Sequence, residues 1–468
     1  MRGAMGFALW CLAASALAST LPPPVARVLQ GHGIPEDAVS VVVQAVDSAE
    51  PVLAHLPDVP RNPASVMKLV TTWSALEILG PTYRWPTEVY FLGPLDDGKL
   101  DGDLLLKGYG DPYLVLEEFW KLLRALRRIG LEEIAGDLVI DDSFFAVNEP
   151  APGEFDGQPF RTYNVLPSAL LVNFKAVQFH FFANPADGRV DIVAEPPLAN
   201  LDIRNRIRLA EGPCRGYQAG ISVDVVGDDL AEVVFGGAFP SRCETYRMAR
   251  TVLRHDTYVL GLFRTLWEEL GGRFEGSLRR GVAAAGSEPA LTWLSPPLAN
   301  VVRSINKNSN NVMTRQLLYT LGAEKLGAPG TREKGKHVIE DFLVANGFDT
   351  STLAMDNGAG LSRDARVSAA LLVDVLRAAA ASPYAPEFLS SLSLGGLDGT
   401  TRDRFDGYSA VMHVKTGSLD HVAALAGYVR AASGADYVVA ILLNAEDAHR
   451  GPGSELEEAV VRWVYREL

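Results

Sequence analysis

PASVMK at residues 63–68 opens an apolar run, LVTTWSALEIL, that extends to residue 79 and is followed by Gly80 and Pro81. A proline ahead of the run and a glycine-proline pair behind it predict one helix of about four turns. Ser65 and Lys68 are three positions apart, so they lie side by side on one face of that helix. Apolar residues occupy most of its circumference, which predicts burial. Burial lowers the pKa of a lysine, and a neutral Lys68 beside Ser65 would pair a general base with a nucleophile.

The pair of Ser65 and Lys68 also has an ordinary interpretation. A serine at a helix start is a common N-cap, and a lysine in a first turn is usually solvated. The same spacing occurs again in Ser304-Ile305-Asn306-Lys307. The pair alone therefore does not identify a catalytic site, and later motifs must decide.

The composition is that of an ordinary globular protein. The chain has 468 residues, of which 48% are hydrophobic and 21% are charged, enough for two or three domains. Its formal net charge of −14 argues against a general nucleic-acid binder and against a basic membrane-surface protein.

The N-terminus has the pattern of a secretory signal. Residues 1–18 hold a short apolar run and end in Ala16-Leu17-Ala18, which fits the cleavage rule. The run is too short for a comfortable membrane span, so we expect export to the periplasm without an integral span; a retained N-terminal anchor is the alternative. Cys214 and Cys243 then remain as an even pair in an export context, which indicates either a disulfide or two reduced, buried thiols.

The order of predicted elements divides the chain. A strand pair over residues 39–56 precedes the Ser65 helix, and residues 85–252 change to short strands and turns around one amphipathic helix at 114–129. Helices return from residue 253, and the chain closes with three strands and a helix. We therefore predict an α/β (α+β) catalytic domain formed by residues 19–84 and 253–468. Residues 85–252 form a mostly β insertion, which we expect to hold two subdomains.

Two further motifs carry side chains suited to catalysis. Ser309-Asn310-Asn311 precedes a helical run, and we prefer it to Ser304 because Ser304 falls inside the preceding predicted helix. Lys415-Thr416-Gly417-Ser418 continues an apolar run, residues 408–414, that predicts a strand. In such a strand lysine supplies positive charge, threonine a hydroxyl, and glycine a bare surface along which another chain can lie. Helix caps and a strand ending in a turn are the ordinary alternatives.

Taken together, Ser-x-x-Lys, Ser-x-Asn and Lys-Thr-Gly in this order resemble the class A β-lactamases and penicillin-binding proteins. The long gap between Ser65 and Ser309 narrows the resemblance to the class C low-molecular-mass penicillin-binding proteins, the D-alanyl-D-alanine carboxypeptidase/endopeptidase family. That family has a penicillin-binding/serine β-lactamase-like transpeptidase domain with a large, mostly β insertion. Further segments are similar to the family's, at residues 108–112, 136–145, 167–170, 356–363 and 395–400. The sequence departs from the family at Ala359, where serine is usual, and at Asp420-His421.

The resemblance implies a role for each residue of the first two motifs. Ser65 attacks the carbonyl between the last two D-alanines, and Lys68 takes its proton. Ser309 relays a proton to the leaving amine while Lys415 keeps that network polarised. Asn311 positions the donor peptide.

The resemblance also implies a substrate-binding role for the third motif. The implied substrate-binding residues are Thr416, Gly417 and Ser418. Thr416 contacts the terminal carboxylate of the substrate. The backbone N–H groups of Ser65 and Ser418 would form the oxyanion hole. The implied partners are peptidoglycan stem peptides ending in D-Ala-D-Ala and β-lactam antibiotics, and we expect no nucleic acid, metal or cofactor.

Two other functions compete with this interpretation. A β-lactamase uses the same scaffold, but the large insertion disfavours it, and no Glu-x-x-Leu-Asn-like loop follows Ser309 to supply a deacylating base. A β-lactam or peptidoglycan sensor would acylate without turnover. His413 lies on the same strand face as Lys415, and we expect it to pack rather than to line the cleft.

Overall fold

The structure is a computed structural model that describes residues 20–468; the predicted signal peptide at residues 1–18 lies outside this range. The helices of the described chain are α1 (Pro23–Gly31), α2 (Lys68–Leu79), α3 (Leu116–Arg128), α4 (His255–Glu269), α5 (Leu298–Asn308), α6 (Asn311–Leu326), α7 (Arg332–Ala345), α8 (Ala369–Ala381), α9 (Ala385–Ser391) and α10 (Pro452–Glu467).

The strands alternate with these helices in the order expected of a mixed fold. They are β1 (Val39–Ala45), β2 (Pro51–His55), β3 (Pro86–Leu92), β4 (Leu95–Asp96), β5 (Lys99–Leu100), β6 (Asp103–Gly108), β7 (Glu133–Ile134), β8 (Leu138–Asp141), β9 (Ala176–Asn184), β10 (Arg189–Glu195), β11 (Asp202–Ala210), β12 (Ser222–Val226), β13 (Glu232–Pro240), β14 (Thr245–Thr251), β15 (Arg273–Phe274), β16 (Leu278–Arg280), β17 (Leu291–Leu294), β18 (Ser393–Leu394), β19 (Met412–Leu419), β20 (Val422–Arg430) and β21 (Asp436–Asn444).

A six-stranded antiparallel sheet, ordered β18-β19-β20-β21-β1-β2, forms the middle layer of the catalytic domain. Successive side chains of a strand point to opposite faces, and β20 shows this directly. Leu425 and Val429 pack with α1 and α10, whereas Ala424 and Ala426 pack with α2, α5 and α8. Since both faces are covered, β20 is apolar along nearly its whole length. The predicted pairing of β1 with β2 is confirmed, and the last helix, α10, packs on this sheet.

The predicted Ser65 helix begins differently from the sequence prediction. Residues Ala64–Met67 form a 3₁₀ turn, and the α-helix starts at Lys68. The N-cap positions of the turn and of the helix are Pro63 and Met67, and Ser65 Oγ is hydrogen-bonded to Lys68, so the ordinary N-cap interpretation does not apply. Burial extends over Lys68 to Leu76, as the all-round apolar pattern predicts, and Gly80 ends the helix with a φ of 81°. α2 thus lies inside the layer between the sheet and the other helices.

The inserted region contains four further sheets, ordered β10-β9-β14, β11-β13-β12, β15-β7-β5-β4 and β16-β8-β6-β3-β17. The sequence predicts that this region ends at residue 252, but later strands continue two of its sheet pairings. β16 pairs with β8, β17 pairs with β3, and Phe263 and Trp267 of α4 pack in the core shared with α3. We therefore propose that the inserted region extends to about residue 294. The pattern of α4 predicts a buried face but does not say which sheet that face meets.

A disulfide joins Cys214 and Cys243, whose Cα atoms are 5.4 Å apart. The pair belongs to the inserted region, where Cys243 packs in the same core as Trp267. Of the two alternatives left by the sequence, the structure therefore has the disulfide.

We expect the double variant Cys214→Ser/Cys243→Ser to lose about 3–4 kcal/mol of unfolding free energy, because the bond closes a loop of roughly 30 residues in the unfolded chain. Chemical unfolding followed by tryptophan fluorescence measures the loss. Wild-type protein under reducing conditions is the matched comparison and should behave as the variant does. An unchanged midpoint in both would show that the bond does not stabilise this region.

No helix among residues 20–468 combines the length and the apolar character needed to cross a bilayer.

Candidate active site

The 3₁₀ turn and the first residue of α2 bring Ser65 and Lys68 together. Lys68 Nζ lies 2.9 Å from Ser65 Oγ. It also lies 2.7 Å from Asn311 Oδ1 and 2.5 Å from the carbonyl oxygen of Ala359. Three separate parts of the chain, α2, α6 and the loop before α8, therefore meet at one amine.

The environment of Lys68 disfavours its charged form. The side chain is fully buried, and this burial, followed by the positive charges of Lys415 and Arg315, holds its pKa well below the ordinary value. A neutral amine has two hydrogens and one lone pair. The two hydrogens can be donated to the carbonyl oxygens of Asn311 and Ala359, which leaves the lone pair facing the Ser65 hydroxyl. That is the arrangement a general base requires.

Ser309 lies at the junction of two helices rather than at the start of one. It follows α5 with a φ of 54°, and Asn310, not Ser309, caps α6 by accepting a hydrogen bond from the N–H of Met313. Left-handed backbone is uncommon for serine and is often found at functional sites. This junction aims Ser309 at Lys415 and lets Asn311, the first residue of α6, reach Lys68.

Ser304 lies within α5, as the sequence predicted. Asn306, its partner in the repeated spacing, donates to Thr72 and Ser391 in the buried interior. The second copy of the motif therefore does not assemble a site.

Lys415 of β19 completes the cluster from the sheet. Its Nζ donates to Ser309 Oγ at 3.0 Å and to the carbonyl oxygen of Thr416 at 2.7 Å. Burial lowers the pKa of Lys415 to about 7. The hydroxyl of Thr416 lies 2.7 Å from that of Thr400, and Ser418, two positions on, is exposed on the same strand.

Gly417 lets β19 approach the turn that carries Ser65. A Cβ at this position would stand 2.5 Å from the carbonyl oxygen of Pro63 and 3.0 Å from the backbone nitrogen of Ser65. Both distances are shorter than ordinary contacts, and both partners are backbone atoms that cannot rotate away. The sequence predicts a bare strand surface at Gly417. In the structure, the turn that carries Ser65 occupies that surface.

We expect Gly417→Ala to push β19 away from Ser65 and to slow acylation by about 10²-fold, since displacements near 1 Å in a catalytic site have effects of that size. The rate of covalent labelling by penicillin measures the loss. Gly31→Ala is the control, because a Cβ there meets nothing within 4 Å. A wild-type labelling rate in Gly417→Ala would show that the close approach has no catalytic value.

His413 does not line the cleft. Its Nδ1 lies 3.2 Å from the carbonyl oxygen of Leu389 in α9, and burial lowers its pKa. The predicted packing role agrees with this contact.

Several groups of the site were not predicted from the sequence. The carbonyl oxygen of Ala359 accepts from Lys68, and that of Tyr163 accepts from Asn311 Nδ2 at 3.2 Å. Arg315 of α6 adds positive charge near Lys68, and Thr400 contacts Thr416. The segments around Ala359 and Thr400 are similar to those of a known family, and this similarity is the available signal. Tyr163 lies in a loop rich in proline and glycine, and it contributes a backbone group that any residue could supply.

His421, Asp447 and His449 are the described side chains that come near to a metal-binding arrangement. The N–H of Asp447 donates to His421 Nδ1 at 3.1 Å, and the N–H of His421 donates to His449 Nδ1 at 3.0 Å. A neutral imidazole that accepts at Nδ1 carries its proton on Nε2, so neither ring offers a free ligand atom. We interpret this group as a brace between the β19–β20 turn and the loop before α10.

Comparison with known proteins identifies the family of the chain. Residues 23–466 match the model of the D-Ala-D-Ala carboxypeptidase 3 (S13) family. The D-alanyl-D-alanine carboxypeptidase of Actinomadura sp. (strain R39) is 30% identical over 406 residues, which cover 83% of this chain and 74% of that protein. The D-alanyl-D-alanine carboxypeptidase DacB of Haemophilus influenzae is 24% identical over 375 residues, covering 79% of this chain and 78% of the relative.

Solved structures share the fold. The crystal structure of penicillin binding protein 4 (dacB) from Haemophilus influenzae superimposes with a TM-score of 0.80 at 22% identity, covering 94% of this chain and 99% of that one. A predatory peptidoglycan endopeptidase from Bdellovibrio bacteriovorus gives a TM-score of 0.55 at 16% identity, covering 91% and 92% of the two chains. At these identities the likeness concerns the fold alone.

Proposed function

The chain belongs to the D-Ala-D-Ala carboxypeptidase 3 (S13) family of serine peptidases, and on this premise we propose that Ser65 is its nucleophile and Lys68 its general base. The observation that carries the proposal is the set of three contacts of Lys68 Nζ, which direct the lone pair of a neutral amine at Ser65 Oγ. The substrate we propose is a peptidoglycan stem peptide that ends in D-Ala-D-Ala.

Acylation begins when Ser65 Oγ attacks the carbonyl carbon between the two D-alanines and Lys68 Nζ takes the hydroxyl proton. The backbone N–H groups of Ser65 and Ser418 would stabilise the oxyanion, a contribution of about 3–4 kcal/mol for a single donor in other enzymes. Their positions agree with the close approach of Gly417 to the nucleophile's turn. Thr416 would receive the terminal carboxylate of the substrate.

Collapse of the tetrahedral intermediate requires a proton on the departing amine. Ser309 Oγ can donate it and be reprotonated through Lys415, to which it is hydrogen-bonded. With its pKa lowered to about 7, Lys415 can both hold and release a proton near neutral pH. D-Alanine then leaves, and water hydrolyses the acyl-Ser65 ester.

Two further assignments depend on the same site. β-Lactam antibiotics carry a carboxylate and a strained amide in the same relation as the peptide substrate, so we propose that they acylate Ser65. We also propose that the same cleft opens D-alanyl cross-links, and that the protein works in the periplasm, in keeping with the signal pattern of residues 1–18.

Product analysis separates this function from the β-lactamase and the sensor. Muropeptides incubated with the protein should lose D-alanine or D-alanyl cross-links catalytically, while penicillin should titrate it about one for one. The peptide's leaving group departs and admits water, whereas the opened β-lactam stays tethered. Rapid nitrocefin turnover without D-alanine release would identify a β-lactamase, and labelling without any product release would identify a sensor.

A further inference from the structure

A groove of about 570 Å³ lies on the inserted region. It is lined by the segment of residues 157–161, by part of the segment of residues 218–223, and by β14, which contributes Tyr246, Met248 and Arg250. These three residues alternate along the strand, so they share one face. None of them belongs to the cluster of Ser65, Lys68 and Lys415.

The groove is joined to the active site through one short piece of chain. Arg161 lies in the groove wall, and Tyr163 follows two positions later. Two residues of extended chain span at most about 7 Å. The carbonyl oxygen of Tyr163 accepts a hydrogen bond from Asn311 Nδ2 at 3.2 Å, and the N–H of Thr251 ties this segment to β14 by donating to Phe160 at 3.0 Å. The wall of the groove therefore adjoins Asn311, the residue assigned to the donor peptide.

Two arginines face this groove without a carboxylate partner. Within residues 20–468 neither Arg161 nor Arg250 forms an ion pair, and Arg250 hydrogen-bonds to the carbonyl oxygen of its neighbour Ala249. Burial, and then the charge of Arg161, lower the pKa of Arg250. Burial and Asp156 raise the pKa of Tyr163 to about 12, and the charges of both guanidinium groups oppose this rise. The chain has 57 acidic against 43 basic residues, so two adjacent cations left unpaired are unexpected.

Such a pair is suited to bind an anion. Like charges at close range repel one another, and an anion between them removes the repulsion. Guanidinium groups bind carboxylates through two parallel hydrogen bonds. Tyr246 beside Arg250 adds an apolar face on which a peptide chain can lie.

We propose that Arg161 and Arg250 bind a carboxylate of the peptide substrate upstream of the scissile D-Ala-D-Ala bond. This rests on the proposed function and adds a specificity to it: the enzyme selects acidic peptides over their amidated counterparts. Because the contact lies outside the reacting atoms, it acts on substrate binding and therefore on KM rather than on kcat.

The test uses the full-length protein and pairs of synthetic peptides ending in D-Ala-D-Ala that differ only by glutamate or glutamine, two to four residues upstream. We expect kcat/KM for D-alanine release to favour the glutamate member by about tenfold at the best position, which corresponds to one well-formed charged contact. In Arg161→Ala/Arg250→Ala the preference should fall to about one through a raised KM. The kcat for the glutamine member and the rate of penicillin labelling should stay at wild-type values.

Arg247→Ala is the matched control, because Arg247 lies on β14 but on the face away from the groove; it should keep the preference. Release of D-alanine from both peptides without any preference would overturn this inference and leave the proposed function intact. A preference that survives in the double variant would overturn it as well. No release from either peptide by wild-type protein would overturn both proposals.

Discussion

Ser65→Ala should abolish D-alanine release and covalent labelling by penicillin while leaving the protein folded. The hydroxyl supplies the only bond by which the proposed acyl-enzyme can form, so the expected loss is complete apart from background. Ser65 Oγ contributes a single contact, to Lys68, and makes no capping hydrogen bond. Its removal should therefore change the melting temperature little.

Ser304→Ala is the matched control for this variant. Ser304 begins the second Ser-x-x-Lys and Ser-x-Asn spacing but lies within α5. We expect wild-type release and labelling. Labelling that persists in Ser65→Ala and disappears in Ser304→Ala would reassign the nucleophile.

Lys68→Met should slow acylation by about 10²–10⁴-fold, the usual contribution of a general base. Methionine has a similar length and no charge to bury, so the variant should fold. Stopped-flow labelling with a chromogenic β-lactam measures the rate. A loss below tenfold would mean that another group takes the proton of Ser65.

The pH dependence of wild-type acylation tests the same role from another side. Only the neutral amine can accept the proton, so the rate should fall as the pH drops through the pKa of Lys68. Burial and the charges of Lys415 and Arg315 place that pKa well below the ordinary lysine value, so the rate should reach its plateau at a pH well below the one at which a free lysine titrates. A rate that stays low until the pH approaches 10 would show that Lys68 is not desolvated as described.

The three motifs could be predicted because each is a short run of side chains on a local element. Ser65 and Lys68 are brought together by one turn of chain, and the apolar run behind them already indicates that the lysine is buried. Lys415 and Gly417 lie in β19, which the apolar run before Lys415 already indicates in the sequence. The order of the three motifs along the chain then indicates the family, and the match of the family model over residues 23–466 confirms that resemblance.

Other features have no comparable signal in the sequence. The acceptors at Ala359 and Tyr163 are backbone carbonyl groups, which every residue type possesses. The 3₁₀ turn before α2 depends on a left-handed Ala64 with a φ of 45°, which no alanine pattern predicts. The later end that we propose for the inserted region has no signal in the sequence, because the apolar face of α4 is equally compatible with either neighbouring sheet. These features arise from tertiary contacts, which the hydrophobic periodicity of the sequence does not reveal.

The central claim is that Ser65 forms the covalent intermediate, and mapping the penicilloyl adduct tests it most directly. Trypsin separates the three candidate serines, because Ser65 falls in the peptide of residues 62–68, Ser304 in 304–307 and Ser309 in 308–315. Mass spectrometry of the labelled, digested protein should find one adduct, in the peptide of residues 62–68 with fragment ions that place it on Ser65. An adduct in either of the other two peptides, with the Ser65 peptide unmodified, would contradict the account.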